Sequence, residues 1–135
     1  MNSSQKDLAL YRMEKAKQTL SAARDMFSHR HFDTVVNRAY YANFTAMRAL
    51  LALKQDDSKT HAGVFAKFNL YFIRENLLPK DFNKLLNETK TVRERADYGD
   101  FFEVDEETAK KHIAAAELFL SKSEELLNKL LLDIK

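Results

Sequence analysis

The chain has no cysteine, one proline and two glycines in 135 residues. Without cysteine there can be no disulfide, thiolate zinc site or cysteine nucleophile. So few turn-formers disfavour an all-β fold, which needs a turn signal at every strand end. No stretch approaches the roughly 18 uncharged apolar residues that a membrane span requires, so no membrane partner is expected. The balance of 22 basic against 20 acidic residues leaves a net charge of +2, too small for the field of a dedicated nucleic-acid coat. Residues 1 to 7 lack an uncharged apolar signal segment, which points to the cytoplasm. What is present is 45% apolar residues, enough to build one core, and the expectation is a single domain over residues 1–135.

The apolar residues recur at helical spacing. Ala9, Met13, Ala16, Leu20, Ala23 and Phe27 form one stripe, predicting a first helix from about Gln5 to His29. A polar break at Ser28 to His31 precedes Asp33, a candidate N-cap for a second helix. There the apolar residues from Val35 to Leu53 fill more than one stripe, so this helix should be the most buried. His61, Val64, Phe65, Phe68 and Phe72 mark a shorter third helix, running up to Asn76 and Pro79. Phe82, Leu85, Leu86, Val92 and Ala96 mark a fourth over about Asp81 to Tyr98, with Gly99 expected in the left-handed conformation that ends many helices. Asp105 is suited to cap the last helix, whose stripe is Ala109, Ile113, Ala116, Leu120, Leu127, Leu130 and Ile134. Short connections between long amphipathic helices predict an all-α fold, an antiparallel up-and-down four-helix bundle with an additional shorter helix. Residues 1–54 carry nine basic and four acidic side chains, whereas residues 101–135 carry five and eight. The two ends could attract each other within the bundle or across a dimer, although solvated faces that merely differ would show the same pattern.

The richest polar cluster is Arg93-Glu94-Arg95-Ala96-Asp97-Tyr98-Gly99-Asp100, at the carboxyl end of the fourth helix. Arg93 and Asp97, four apart, share a face, and Arg95 and Tyr98, three apart, share the neighbouring one. Two guanidiniums beside a phenol would clamp a phosphate or carboxylate through paired hydrogen bonds, although the negative end of the helix dipole opposes an anion there. The structural alternative pairs the arginines with Asp97, Glu94 or a neighbouring helix and packs Tyr98 at the core margin.

Asn37-Arg38-Ala39-Tyr40-Tyr41-Ala42-Asn43-Phe44, continuing through Ala46 to Leu51, then Lys59-Thr60-His61 and finally Arg95-Ala96-Asp97-Tyr98, resembles the HEPN family of prokaryotic helical domains over about residues 8 to 125. The resemblance implies a bundle that dimerises, is often encoded beside a minimal nucleotidyltransferase in a toxin and antitoxin arrangement, and in some branches is a metal-independent ribonuclease. Those branches carry an Arg followed, after four to six residues, by a His. On the matching helix, Tyr98 stands where the shortest spacing from Arg93 would put that His, and Asp100, Phe101 and Phe102 occupy the positions allowed from Arg95. A phenol of pKa about 10 is a poor substitute for an imidazole in RNA cleavage, so the departure threatens catalysis more than phosphate binding. A literal match at Arg24 and His29, with His31 also in range, lies on the wrong helix. About 0.7 such matches arise by chance in a chain of this composition.

The resemblance also places a histidine at the position of His61, which could cap its helix or face Arg93 and Tyr98 across the bundle. His29 and His31 with His112 or Asp33 make a poor metal set, because alternate positions do not face one way, and no metal or cofactor is expected. Tyr40 and Tyr41 could stack on a nucleobase, but adjacent helix positions point about 100° apart, so at least one belongs to the core. Arg38 and Arg48 suit the surface or a dimer contact, and Arg38 could join a phosphate-binding patch. Phe65, Phe68, Tyr71 and Phe72 are read as packing. The leading expectation is a non-catalytic HEPN-type homodimer that binds a nucleotide, nucleic acid or nucleotidyltransferase-like partner through Arg93, Arg95, Asp97, Tyr98, His61 and Arg38. The alternatives are a metal-independent ribonuclease toxin, with Tyr98 or His61 as its base, and a purely structural dimerisation module.

Overall fold

In the computed structural model, residues 3–133 are described, and they form five helices: α1 Ser3–Ser28, α2 Phe32–Ala52, α3 His61–Phe68, α4 Asp81–Tyr98 and α5 Glu106–Leu132. There is no strand among the described residues, as the shortage of turn-formers predicts. Residues 1, 2, 134 and 135, among them the Ile134 of the expected last stripe, lie outside the described residues. α3 runs on into a π-helical turn, Asn69–Ile73.

The stripe on α1 is buried at Ala9, Met13, Ala16, Leu20 and Ala23, with Phe27 at the core margin. α2 is the central helix. It is buried at twelve positions between Val35 and Ala52 and packs on α1, α3, α4 and α5. Apolar burial on this scale, at roughly 25 cal/mol per Å², is the main force holding the bundle together. α1 and α5 run antiparallel, and their facing surfaces pair Lys17 with Glu124 (3.0 Å), Arg24 with Glu117 (3.3 Å), and Arg30, just past α1, with Glu106 (3.3 Å). The basic first third of the chain therefore meets the acidic last third inside one bundle. These exposed pairs set orientation more than stability, since each contributes about 1 kcal/mol or less.

The helix ends follow local chemistry, with two departures from expectation. Asp105 caps α5 by accepting from the Thr108 N–H (2.8 Å). Asp33, by contrast, does not cap α2. Its Oδ1 accepts from the Val104 N–H (3.0 Å), tying the start of α2 to the loop before α5. Gly99 is extended (φ −87°), not left-handed, and a Cβ there would lie 2.5 Å from the Arg95 carbonyl oxygen. Close approach is what selects glycine here, and the left-handed residue of this loop is Phe101 (φ 62°).

Candidate functional site

The site is built where α2, the start of α3 and the last turns of α4 meet. Thr60 caps α3, its hydroxyl accepting from the Gly63 N–H at 3.0 Å. A Cβ on Gly63 would lie 2.0 Å from Ser58 Oγ, so the tight cap needs glycine, and it sets His61 in the first turn of α3. His61 and Phe65 are four apart on α3, and Tyr40 and Phe44 are four apart on α2, so each pair shares a face. The four rings interleave. Tyr40 lies nearly parallel to Phe44 (centroids 6.1 Å) and Phe65 (6.3 Å), and His61 sits 4.3 Å from Phe44. Tyr40 is fully buried, whereas Tyr41, Phe44, His61 and Phe65 keep part of their surface in solvent.

α4 lays cations on this aromatic wall. The Arg93 guanidinium is 4.3 Å from the Tyr40 ring centre and 5.8 Å from that of Tyr41, and the Lys90 ammonium is 5.2 Å from Phe65. A partly desolvated cation over a ring face is worth about 1–2 kcal/mol. Arg93 keeps only 8% of its surface exposed and pairs with Asp97 at 3.3 Å, one turn on. Its Nε is buried without a hydrogen-bond partner. Tyr40 Oη and His61 Nδ1 are 2.7 Å apart. Burial pushes the Tyr40 phenol above its ordinary pKa, against the pull of the adjacent Arg93 charge. The His61 imidazole is held below its ordinary value by burial first, then by Arg93 and Lys90, and is therefore neutral at pH 7. The arrangement offers a cationic, donor-rich and partly apolar face that suits an oxyanion attached to a flat ring.

Of the residues expected to form the site, Arg93, Asp97 and His61 are brought together. Arg95, Tyr98 and Arg38 are not. Positions two apart on a helix point about 200° apart, so Arg95 faces away from Arg93, and Arg38 away from Tyr40. Arg95 lies over the Phe102 ring (4.6 Å), and Tyr98 is 80% exposed and not packed at the core margin. Arg48 is no free surface cation: it and Arg12 share Asp57, at 2.8 and 2.9 Å, which clamps the α2–α3 loop to α1. His29 and His31 hold their rings parallel with centroids 6.5 Å apart. His112 is buried on α5 against Thr89 (2.7 Å), and the described residues hold no cluster of three or more metal-ligating side chains. Tyr40 enters the sequence reading only as one of two tyrosines that could stack on a base, and Phe44, Phe65 and Lys90 do not enter it as site residues. The one available signal was the pair of aromatic four-residue spacings, 40 with 44 and 61 with 65, on consecutive helices.

Comparison with known proteins places this geometry in context. A protein named as a candidate toxin in Methanocaldococcus jannaschii is 34% identical over 119 residues, 88% of each chain. A second candidate toxin of that organism is 32% identical over 115 residues, 85% of this chain and 78% of its own. A UPF0332 protein of Thermotoga maritima is 34% identical over 130 residues, 96% of this chain and 98% of its own. The model of the HEPN domain matches residues 9–126, and with relatives of this identity and coverage the chain belongs to the HEPN domain family.

Proposed function

We propose that this protein is a toxin-like HEPN protein that binds the phosphate of a nucleotide or RNA on the Arg93 face. The carrying observation is the Arg93 guanidinium, held on Tyr40 beside His61 with its Nε–H unpaired. A buried donor without an acceptor costs about 1–3 kcal/mol, and a ligand oxygen would remove that cost. Asp97, one-third exposed, neutralises Arg93 in the ligand-free protein and is the group that an incoming phosphate displaces. Lys90 adds a second cation, and the exposed parts of Tyr41, Phe44 and Phe65 give a base a surface to lie on. The toxin-like part of the reading is supported by the two relatives named as candidate toxins. Homodimerisation, and pairing with a nucleotidyltransferase-like protein, belong to the same proposal and rest on the family resemblance.

Titration of the purified protein with AMP and short RNAs tests the reading. Binding that weakens with salt and is lost in Arg93→Ala but kept in Arg95→Ala supports it, and absence of binding to any of these probes defeats it.

A second reading, a metal-independent ribonuclease, is favoured by one observation: an imidazole from α3 meets the Tyr40 phenol on which Arg93 lies, near enough to feel the Arg93 charge. It predicts RNA cleavage in EDTA that both Arg93→Ala and His61→Ala abolish, together with growth arrest on expression.

A further inference from the structure

We infer that Tyr40 locks His61 as the Nε2–H tautomer, so that His61 presents a hydrogen-bond donor to the ligand and not a base; the ligand half of this inference rests on the phosphate-binding reading above. The argument begins with the proton on the phenol. Tyr40 is fully buried, and burial keeps its hydroxyl protonated throughout the physiological range. A hydroxyl proton buried there needs an acceptor. The Tyr40 oxygen has two neighbours that matter. One is Arg93, which favours the phenolate by charge and by hydrogen bonding and, as a guanidinium, can only donate. The other is His61 Nδ1, at 2.7 Å. The phenol proton therefore goes to Nδ1. A neutral imidazole accepting at Nδ1 carries its own proton on Nε2, because the bond made by one ring nitrogen fixes the state of the other.

The state of His61 is consistent with its whole surroundings. α2 contributes Tyr40 and Tyr41, and α4 contributes Lys90, Arg93 with its partner Asp97, and Glu94, whose charge reaches Tyr40. On α3 itself, Lys67 is committed to Asp56 of the preceding loop at 2.6 Å. Two nearby cations and partial burial keep the ring neutral, so a second proton at Nδ1 does not compete with the phenol. Nε2 has no hydrogen-bond partner among the described residues and is not sealed in the core. With the Asp97 carboxylate taken up by Arg93, the site then holds the buried Arg93 Nε–H, His61 Nε2–H and the partly exposed Lys90 ammonium, all of them donors. Such a set selects an acceptor-only group, an ionised phosphate oxygen, over a hydroxyl or amide that must also donate. It also disfavours His61 as the general base of an RNA-cleaving reaction, because the nitrogen facing the ligand holds no lone pair.

Tyr40 is thus a positioning residue, and its effect is readable apart from binding. In ¹⁵N spectra of the wild-type protein at pH 8, His61 is expected to show a protonated, pyrrole-type Nε2 and an unprotonated Nδ1. Tyr40→Phe removes the pinning hydroxyl, and the two nitrogens should move toward a tautomer mixture while the pKa of His61 rises. A wild-type spectrum with the proton on Nδ1 overturns the inference whether or not any ligand binds. With AMP as the probe, Tyr40→Phe is expected to bind about tenfold more weakly, the loss of one well-made bond to a charged group. His61→Gln, which can donate but cannot act as a base, should keep most of the affinity that His61→Ala loses. Equal loss in the Gln and Ala variants would overturn the donor role. If AMP binds to none of them, wild type included, the phosphate-binding reading falls, and the spectrum alone decides the tautomer.

Discussion

Arg93 and Arg95 lie two residues apart on the same helix and share almost nothing else. Arg93 is inside the bundle, stacked on Tyr40, paired with Asp97 and close to a neutral histidine. Arg95 is on the outside, over Phe102, near the end of a helix that displays Tyr98 and leads to a fully exposed Phe101. The 200° rotation between them is the whole cause. It makes one arginine part of the candidate site and the other a surface residue. Closeness in sequence joined them into one clamp, whereas the phase of the helix separates them.

Substitutions can break or sharpen that contrast. Arg93→Ala should be the most damaging, at about 2–3 kcal/mol of stability, because it removes a buried cation from two ring faces and strands Asp97. Urea unfolding measures it, and a cost within the scatter of surface substitutions would mean that Arg93 is not held as described.

Next comes the support of α4 one turn before Arg93. Thr89→Val should cost about 1–2 kcal/mol by leaving His112 Nδ1 without its partner. Both His112 and His61 are held below the ordinary imidazole pKa, chiefly by burial. The unfolded chain therefore binds more protons near pH 6, and stability falls as pH drops below about 6.5, levelling off once the folded-state values are passed. Urea midpoints between pH 5 and 8 follow this directly, and His112→Gln should flatten the slope. An unchanged slope in that variant would count against His112.

The outer region predicts smaller effects of the opposite kind. Phe101 pairs a left-handed backbone with a side chain that contacts nothing that compensates for it, so Phe101→Asn should stabilise the protein by about 0.5–1 kcal/mol in thermal melts. Arg95→Ala should change stability by about 0.5 kcal/mol or less and leave AMP binding intact.

The fold was largely legible because helical periodicity and capping are local. The α1 stripe is buried at five of its six positions, α4 runs from Asp81 to Tyr98 as its pattern predicts, and Asp105 caps α5. Where the local rule failed, a distant partner had intervened. Asp33 gives its carboxylate to Val104, 71 residues away, and Gly99 answers to the carbonyl of Arg95, with no left-handed turn to supply. The site was half legible. Arg93, Asp97 and His61 stand out as polar residues at telling positions, but Tyr40, Phe44 and Phe65 read as core in one dimension. They become one aromatic wall only when α3 folds back across α2. His61 comes to the Tyr40 phenol from a different helix, a juxtaposition that spacing within a single motif cannot reveal.

The most direct test is a side-chain NMR titration of wild-type protein with AMP, observing the arginine Nε–H and histidine ring signals together. The account predicts that the Arg93 Nε–H and the His61 ring shift progressively with added AMP while Arg95 stays still. Shifts confined to Arg95 and Tyr98, or none at all up to saturating AMP, would contradict it.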